Sequence, residues 1–413
     1  MRRINYAWVI LATGFTVLFF SSGSRFAFGL LLKPMSEDLD LSRSALSLAA
    51  TCFMIVSAVS MPFVGRLVDS FSVRKVVSIA VVIAAAGIAL MGLAQTQWQV
   101  ILLYGVIFAI GNGGSSVGPI GVMISRWFER GRGTATSAAM SGNALGQLII
   151  ITALASALVH IGWRNAYITL GVVNLLIVVP LVLAFVRSDP ESSPPSDADP
   201  AAPPPPDTAA LPTKTIFTSR QLWLLLVVYA IRGFQDFFVA THVVAFAQDK
   251  GLTAAFSGTL YAFMGLLGMF GVMSAGLLAD RFSSIHPTAL CFLARIACFA
   301  LIIFTQTTPA IVVFALLYGF TFLITAPLTV TFAGSMFGAP RLGMMSGIIN
   351  MVHHIAGGLG ALVGGLVFDA RGSYDAAFVL MLALAVLASV LTFTIRERLI
   401  SQPRPLHPIQ PCC

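Results

Sequence analysis

The chain has 413 residues, of which 57% are apolar and only 10% are charged, and its mean hydropathy is +0.91. So few charges cannot clothe the surface of a soluble domain, which excludes that class and points to an integral membrane protein. The net charge of +8 is then explained by membrane topology and anionic lipid, and gives no support to nucleic-acid binding.

A helix needs about 20 apolar residues to cross a hydrocarbon core roughly 30 Å thick. Taken in chain order, such segments lie at 5–32, 45–64, 75–95, 99–124, 134–158 and 166–186, then at 221–246, 256–279, 287–306, 308–334, 344–368 and 375–395. The fold class this predicts is all-α and membrane-embedded, with twelve transmembrane helices. The first segment follows Met1-Arg2-Arg3 and lacks a clear cleavage site, so it is read as a retained helix and not as a signal peptide.

Four regions follow: an N-terminal six-helix half over 1–187, a linker over 188–219, a C-terminal six-helix half over 220–396 and a tail over 397–413. The linker contains Ser-Ser-Pro-Pro-Ser-Asp and Ala-Ala-Pro-Pro-Pro-Pro-Asp. Such a sequence cannot pack a core and acts as an extended spacer, with a docking role for a proline-recognising partner as the lesser reading. With an N-terminus in the cytoplasm, sixteen of the 24 basic residues fall inside, five outside and three within spans. The positive-inside rule therefore predicts both termini in the cytoplasm, and the expected location is the inner (plasma) membrane. Cys52, Cys291 and Cys298 lie inside predicted helices as small apolar groups, and no cysteine has metal-ligand spacing.

The chain also repeats itself. Gly65-Arg66-Leu67-Val68-Asp69 returns 211 positions later as Gly276-Leu277-Leu278-Ala279-Asp280. Arg132 is answered by Arg341, and Gly162-Trp163-Arg164-Asn165-Ala166-Tyr167 by the run from Gly372 to Phe378. Echoes at one offset mean two halves duplicated in the same order, an architecture of transporters.

The segment from Gly65 to Lys75, read as a loop between the second and third spans, resembles the signature loop of the major facilitator superfamily. Ser72 stands where that family usually has glycine. The resemblance implies a conformational latch built from Gly65, Asp69 and Arg74, with Asp280 and Arg281 as its degenerate second copy. A narrower likeness is carried by Gly111-Asn112-Gly113-Gly114, Gly118-Pro119, Arg126 to Ala135, Phe28 to Pro34, and Gly365 to Tyr374 with Ala377-Phe378. These are similar to motifs of the monocarboxylate transporter and oxalate/formate antiporter group. That likeness implies a carboxylate substrate and a cavity lined by helices one, four, seven and ten. The family's usual charges in helix eight are missing here, because Phe256 to Ala279 contains none.

Charge inside a membrane span is costly, so intramembrane ionisable residues are candidates for a substrate or proton path. Arg25 offers a planar fork that matches a carboxylate bidentately, and is the preferred anion ligand; the competing reading is an Arg snorkelling towards headgroups. Arg232 and Asp236 are four apart and share a helix face. Their pairing could release a proton with substrate or could be a permanent ion pair, and both readings stand. His242 is the second proton candidate. Arg232, Asn112, Asn350 and His353 complete the candidate substrate contacts. Arg295 is assigned a structural role, and the glycines at 357, 358, 360, 364 and 365 form a helix-packing stripe. No nucleophile-base pair, phosphate loop or metal spacing is present in the sequence, so no enzyme activity and no cofactor is expected. The expected function is secondary active transport of small organic anions, monocarboxylates above all, coupled to protons and acting as a monomer. Carboxylate exchange and proton-driven export of amphipathic compounds are the alternatives.

Overall fold

The computed structural model describes residues 2–71, 73–125, 127–128, 132–186, 216–282, 285–322 and 342–395, with 324, 328, 332 and 336 as single positions. Its helices are α1 (Arg2–Leu39), α2 (Arg43–Ser70), α3 (Val73–Met91), α4 (Gln97–Ile124), α5 (132–161) and α6 (163–185). The second half consists of α7 (Arg220–Asp249), α8 (Ala254–Phe282), α9 (Ile285–Phe304), α10 (Thr308–Phe322), α11 (Leu342–Arg371) and α12 (Asp375–Thr394). Among the described residues ten apolar segments are long enough to span a membrane; one of them, Ala138–Phe185, bends into α5 and α6, and the shorter α10 completes twelve crossings.

Local chemistry sets the ends of these helices. Ser42 and Ser219 accept the N–H groups of Ala45 and Leu222 at the starts of α2 and α7, and Thr96 forms a capping box with Gln99 at the start of α4. Such caps satisfy donors that have no partner inside the helix. The α5–α6 bend occurs at Gly162, with φ 69°, and the α11–α12 turn at Gly372, with φ 66°. A Cβ is disfavoured in that left-handed region, so the sequence echo between these two glycines is the same turn built twice. Within α4 the segment Ile101–Phe108 is a π-helix, and the chain breaks again near Ser115 before Val117–Ser125.

One expectation needs correction. The stretch after Gly65 is not a loop: α2 continues to Ser70, and α3 begins at Val73. Arg66 and Leu67 are good helix formers and no proline intervenes, so the helix carries on past the glycine, and its last turn closes when the Phe71 N–H bonds the Leu67 carbonyl. In the second half α8 likewise runs through Asp280 and Arg281 to Phe282. The side chains of Gly65, Asp69, Asp280 and Arg281 lie outside the described residues, as do residues 187–215, which include most of the linker, and the tail from 396.

The buried apolar side chains form three clusters whose arrangement decides the overall shape. Beside the membrane face where α1 begins and α12 ends, here the terminal face, each half has its own core. One is built from residues such as Val64, Val77, Ile124 and Val182, the other from Leu225, Phe292, Ile349 and Ala388. Towards the opposite face a single cluster runs through both halves and joins Leu31, Phe53 and Ile151 to Val244, Tyr261, Phe314 and Phe378. Among the described residues, the buried apolar packing is therefore shared by the halves on the side away from the termini and divided between them beside the termini.

Candidate functional site

Arg25 lies on α1 at the seam between the halves, half-buried. Its guanidinium stands 5.5 Å from the ring centroid of Phe26, 5.7 Å from Phe53 on α2 and 5.1 Å from Phe237 on α7. Among the described residues it has no carboxylate partner and donates no hydrogen bond. Aromatic faces solvate a cation partially, so the site holds a positive charge that a bound anion would neutralise.

Behind Phe237 lies a second centre. Asp236 is 2% exposed. Its Oδ1 accepts from Arg295 Nη2 at 2.5 Å and from the Tyr318 hydroxyl at 3.1 Å, while its Oδ2 is 3.2 Å from Arg232 Nε and 3.4 Å from His353 Nε2. The Arg232 Nε–H is not aligned on the carboxylate for a hydrogen bond, although the charges are close; its Nη2 donates to the Phe322 carbonyl at 2.9 Å. Arg295, 0% exposed, also reaches the Gln235 Oε1 at 3.2 Å. Two guanidiniums thus share one carboxylate. An uncompensated charge in an apolar interior is far costlier than a paired one, which explains why so many donors converge on Asp236.

The i, i+4 pairing of Arg232 with Asp236 was legible from spacing. Arg295 on α9, to which the sequence assigned a structural role, is the carboxylate's closest ionic partner, a pairing that sequence reasoning did not foresee. Its signal was present: a lone arginine inside a span needs an anion, and Asp236 is the one carboxylate predicted away from the ends of a span. His353 joins this cluster, and its ring meets Phe237 edge-on at 5.7 Å. His354 flanks the same ring at 5.9 Å and bonds the Asn350 carbonyl through Nδ1 at 2.8 Å.

The other candidates lie apart. Asn112 donates to Ser21 Oγ at 2.7 Å and so ties α4 to α1, and the Asn350 amide bonds the Ser346 carbonyl one turn earlier. Arg74 bonds the Leu183 carbonyl at the end of α6, within its own half. His242 lies on the opposite-face side of Arg25. Its Nε2 bonds the Ala361 carbonyl at 2.7 Å, and its Nδ1 meets the Tyr374 hydroxyl at 3.1 Å.

His242 leads into a third centre, absent from the sequence reading. At the opposite face Arg43 forms a fork on Asp249, with Nη1 to Oδ2 at 2.6 Å and Nη2 to Oδ1 at 2.9 Å, and Nη1 also bonds the Tyr374 hydroxyl at 2.7 Å. Lys33 adds 2.9 Å to Asp249, and the Arg43 guanidinium lies 3.6 Å above the Phe368 ring. Asp369 accepts the backbone N–H groups of Arg43 and Ser44 at 3.1 and 2.9 Å, so a carboxylate of α11 caps α2 of the other half. All these bonds cross between halves. Below them the backbones nearly touch: a Cβ on Gly29 would lie 2.2 Å from the Ala240 carbonyl oxygen, and one on Gly365 2.7 Å from Ser44 Cα. The glycine stripe of α11 is in this way a packing surface, set against α2 and α7.

The duplicated sequence explains why this closure has its present form. Asp38 and Asp249 are equivalent positions, 211 apart, and Arg164 is matched by Tyr374. In the first half Asp38 takes Arg164 at 2.9 Å and the Trp163 indole at 3.1 Å, all within one half. In the second half a tyrosine replaces the arginine, which leaves Asp249 to the cations of its neighbour.

Comparison with known proteins agrees with this architecture. The family model described as Major Facilitator Superfamily matches residues 14–361 and 289–410. The uncharacterised MFS-type transporter YcxA of Bacillus subtilis is 25% identical over 89% of this chain and 90% of its own length. Human monocarboxylate transporter 11 is 25% identical over 91% of this chain and 80% of its own. Among solved structures, a point mutant of the nucleoside transporter NupG superposes with a TM-score of 0.78 at 14% identity, covering 94% of this chain and 99% of its own. An inward-facing, occupied bacterial homologue of the lysosomal transporter Spinster gives 0.75 at 15% identity, covering 94% and 97%. A twelve-helix duplicated fold, halves fused on one side only, and a family match over most of the length lead to one conclusion: the chain belongs to the major facilitator superfamily.

Proposed function

We propose that the protein is a secondary transporter of small organic anions, monocarboxylates in particular, that moves them with protons by alternating access of its two halves. The observation that carries this reading is Arg25: a guanidinium at the inter-half seam, among aromatic rings of both halves, with no carboxylate partner among the described residues. A substrate carboxylate supplies the missing partner through two parallel N–H···O bonds, the strongest pairing this side chain makes.

The proton belongs one ring further in. Asp236, held by two guanidiniums and a phenol, serves as a fixed anion, and His353 at its Oδ2 takes up the proton on Nδ1 while Nε2–H stays on the carboxylate. Anion on Arg25 and proton on His353 then flank Phe237 and offset each other's charge as the halves rock. The basic residues at the terminal face support an orientation with both termini in the cytoplasm of a plasma (inner) membrane. In that orientation the Arg43–Asp249 closure faces outward, and each chain acts by itself.

Reconstitution tests the proposal. Labelled formate, lactate, pyruvate and benzoate should enter proteoliposomes faster than protein-free liposomes, and an inward proton gradient should accelerate entry. Arg25→Gln should remove the protein-dependent component. Failure of every carboxylate to exceed the protein-free rate would refute the anion reading; unchanged transport by Arg25→Gln would refute the assigned ligand.

A further inference from the structure

The side chains around Arg25 specify more than a negative charge. Three rings face the guanidinium directly, and Phe26 is joined in turn by Tyr261 on α8, centroids 5.9 Å apart at 80°, and by Phe322 on α10 at 6.3 Å. The phenols among them have no proton to offer, since Tyr104 donates to the Arg25 carbonyl at 3.0 Å and Tyr261 to the Ala240 carbonyl at 2.8 Å. The two histidines beside Phe237 are committed as well, His353 through Nε2 to Asp236 and His354 through Nδ1 to Asn350. With both imidazoles neutral, before His353 takes up its proton, only Arg25 among these neighbouring side chains has N–H groups left to give.

We propose that this site selects monocarboxylates with a flat apolar body, arylcarboxylates such as benzoate and phenylacetate, over hydroxy-acids and dicarboxylates; this rests on the anion reading above. A carboxylate on the guanidinium uses the donors present. The rest of the ligand then meets ring faces and edges, against which an aryl group stacks or packs edge-on with favourable geometry. A hydroxyl or a second carboxylate in the same place loses water without gaining a donor, and that desolvation penalty sets the discrimination. Rings from both halves form the box, so the ligand body is gripped from both sides of the seam. Phe237 is the central element, because its ring neighbours both Arg25 and the two imidazoles.

Titration calorimetry of the purified full chain in detergent, free of the passive leak of weak acids through bilayers, tests this with benzoate, phenylacetate, propionate, lactate and oxalate. Benzoate and phenylacetate should bind at least about tenfold more tightly than lactate and oxalate, with propionate between. Phe237→Leu should weaken the aryl ligands several-fold and leave propionate unchanged. Lactate or oxalate bound as tightly as benzoate would overturn the selectivity and leave the anion reading intact; a lactate preference would assign its hydroxyl to the bare Nε2 of His354. An equal loss for all ligands in Phe237→Leu would also overturn it. If no carboxylate binds, and Arg25→Gln changes nothing, the anion reading itself falls.

Discussion

At the scale of the residue, Asp236 shows how a buried charge recruits its surroundings. Arg232 comes from the same helix, Arg295 from α9, Tyr318 from α10 and His353 from α11, so one carboxylate ties four helices of the second half together. Removing it leaves two guanidiniums in an apolar interior, and Asp236→Asn should cost about 3–5 kcal/mol, read as a lowered midpoint in thermal unfolding in detergent. Arg295→Met should also destabilise, but the double variant should lose clearly less than the two single losses summed, because the second change removes a charge that the first left unpaired. Additive losses would show that the pair is uncoupled. The Arg232–Asp236 spacing was legible because helical neighbours recur at four residues; Arg295 was not, because its partner is 59 positions away and only the packing of α9 on α7 brings them together. Arg25 stood out as a candidate for a simpler reason, the cost of a charge within a span, whereas the rings of Phe53 and Phe237 around it come from other helices and have no linear signature.

Among the elements, the α1–α2 and α11–α12 corners of the opposite face carry the closure. Most helix positions could be read from the apolar runs, and the bends at Gly162 and Gly372 from the matching echo. The Gly65 segment misled because glycine and charge suggest a loop, while a single glycine followed by good helix formers is carried within α2. The closure itself could not be read from the halves separately, since its bonds run between them and its donors and acceptors lie in three different corners, α1–α2, α7–α8 and α11–α12. Arg43→Gln removes the fork on Asp249 and the bond to Tyr374 together. It should raise the labelling of a cysteine at Ser47, just beneath, by a membrane-impermeant maleimide several-fold. Tyr374→Phe, which deletes one hydroxyl and leaves the Arg43–Asp249 fork, should raise it less. Labelling unchanged in Arg43→Gln would show that close backbone packing alone keeps this face shut.

For the molecule as a whole, duplication gives the scaffold and departures from it give the direction. The twelve crossings and the two halves follow from hydropathy and the repeat offset, but the separation of the cores on the terminal side and their fusion on the other is tertiary and has no linear signature. The substitution of Tyr374 for an arginine like Arg164 turns one of two equivalent acidic corners outward to the other half. Restoring the arginine, as Tyr374→Arg, should draw Asp249 back into its own half and weaken the closure. Distances between spin labels at the opposite-face ends of α2 and α11 should lengthen and broaden; an unchanged distribution would contradict this account of the asymmetry.

The solitary charge of Arg25 has a kinetic consequence. As a carrier without cargo rocks from one side to the other, it must pass through a state in which that guanidinium is shut away from water with only ring faces for company. With an anion aboard, the same passage carries a neutral pair. Reorientation of the vacant carrier should therefore be the slow leg of the cycle, and countertransport should outrun net flux. Vesicles preloaded with unlabelled benzoate should take up external label several times faster than vesicles loaded with buffer, and equal rates would place the slow leg elsewhere.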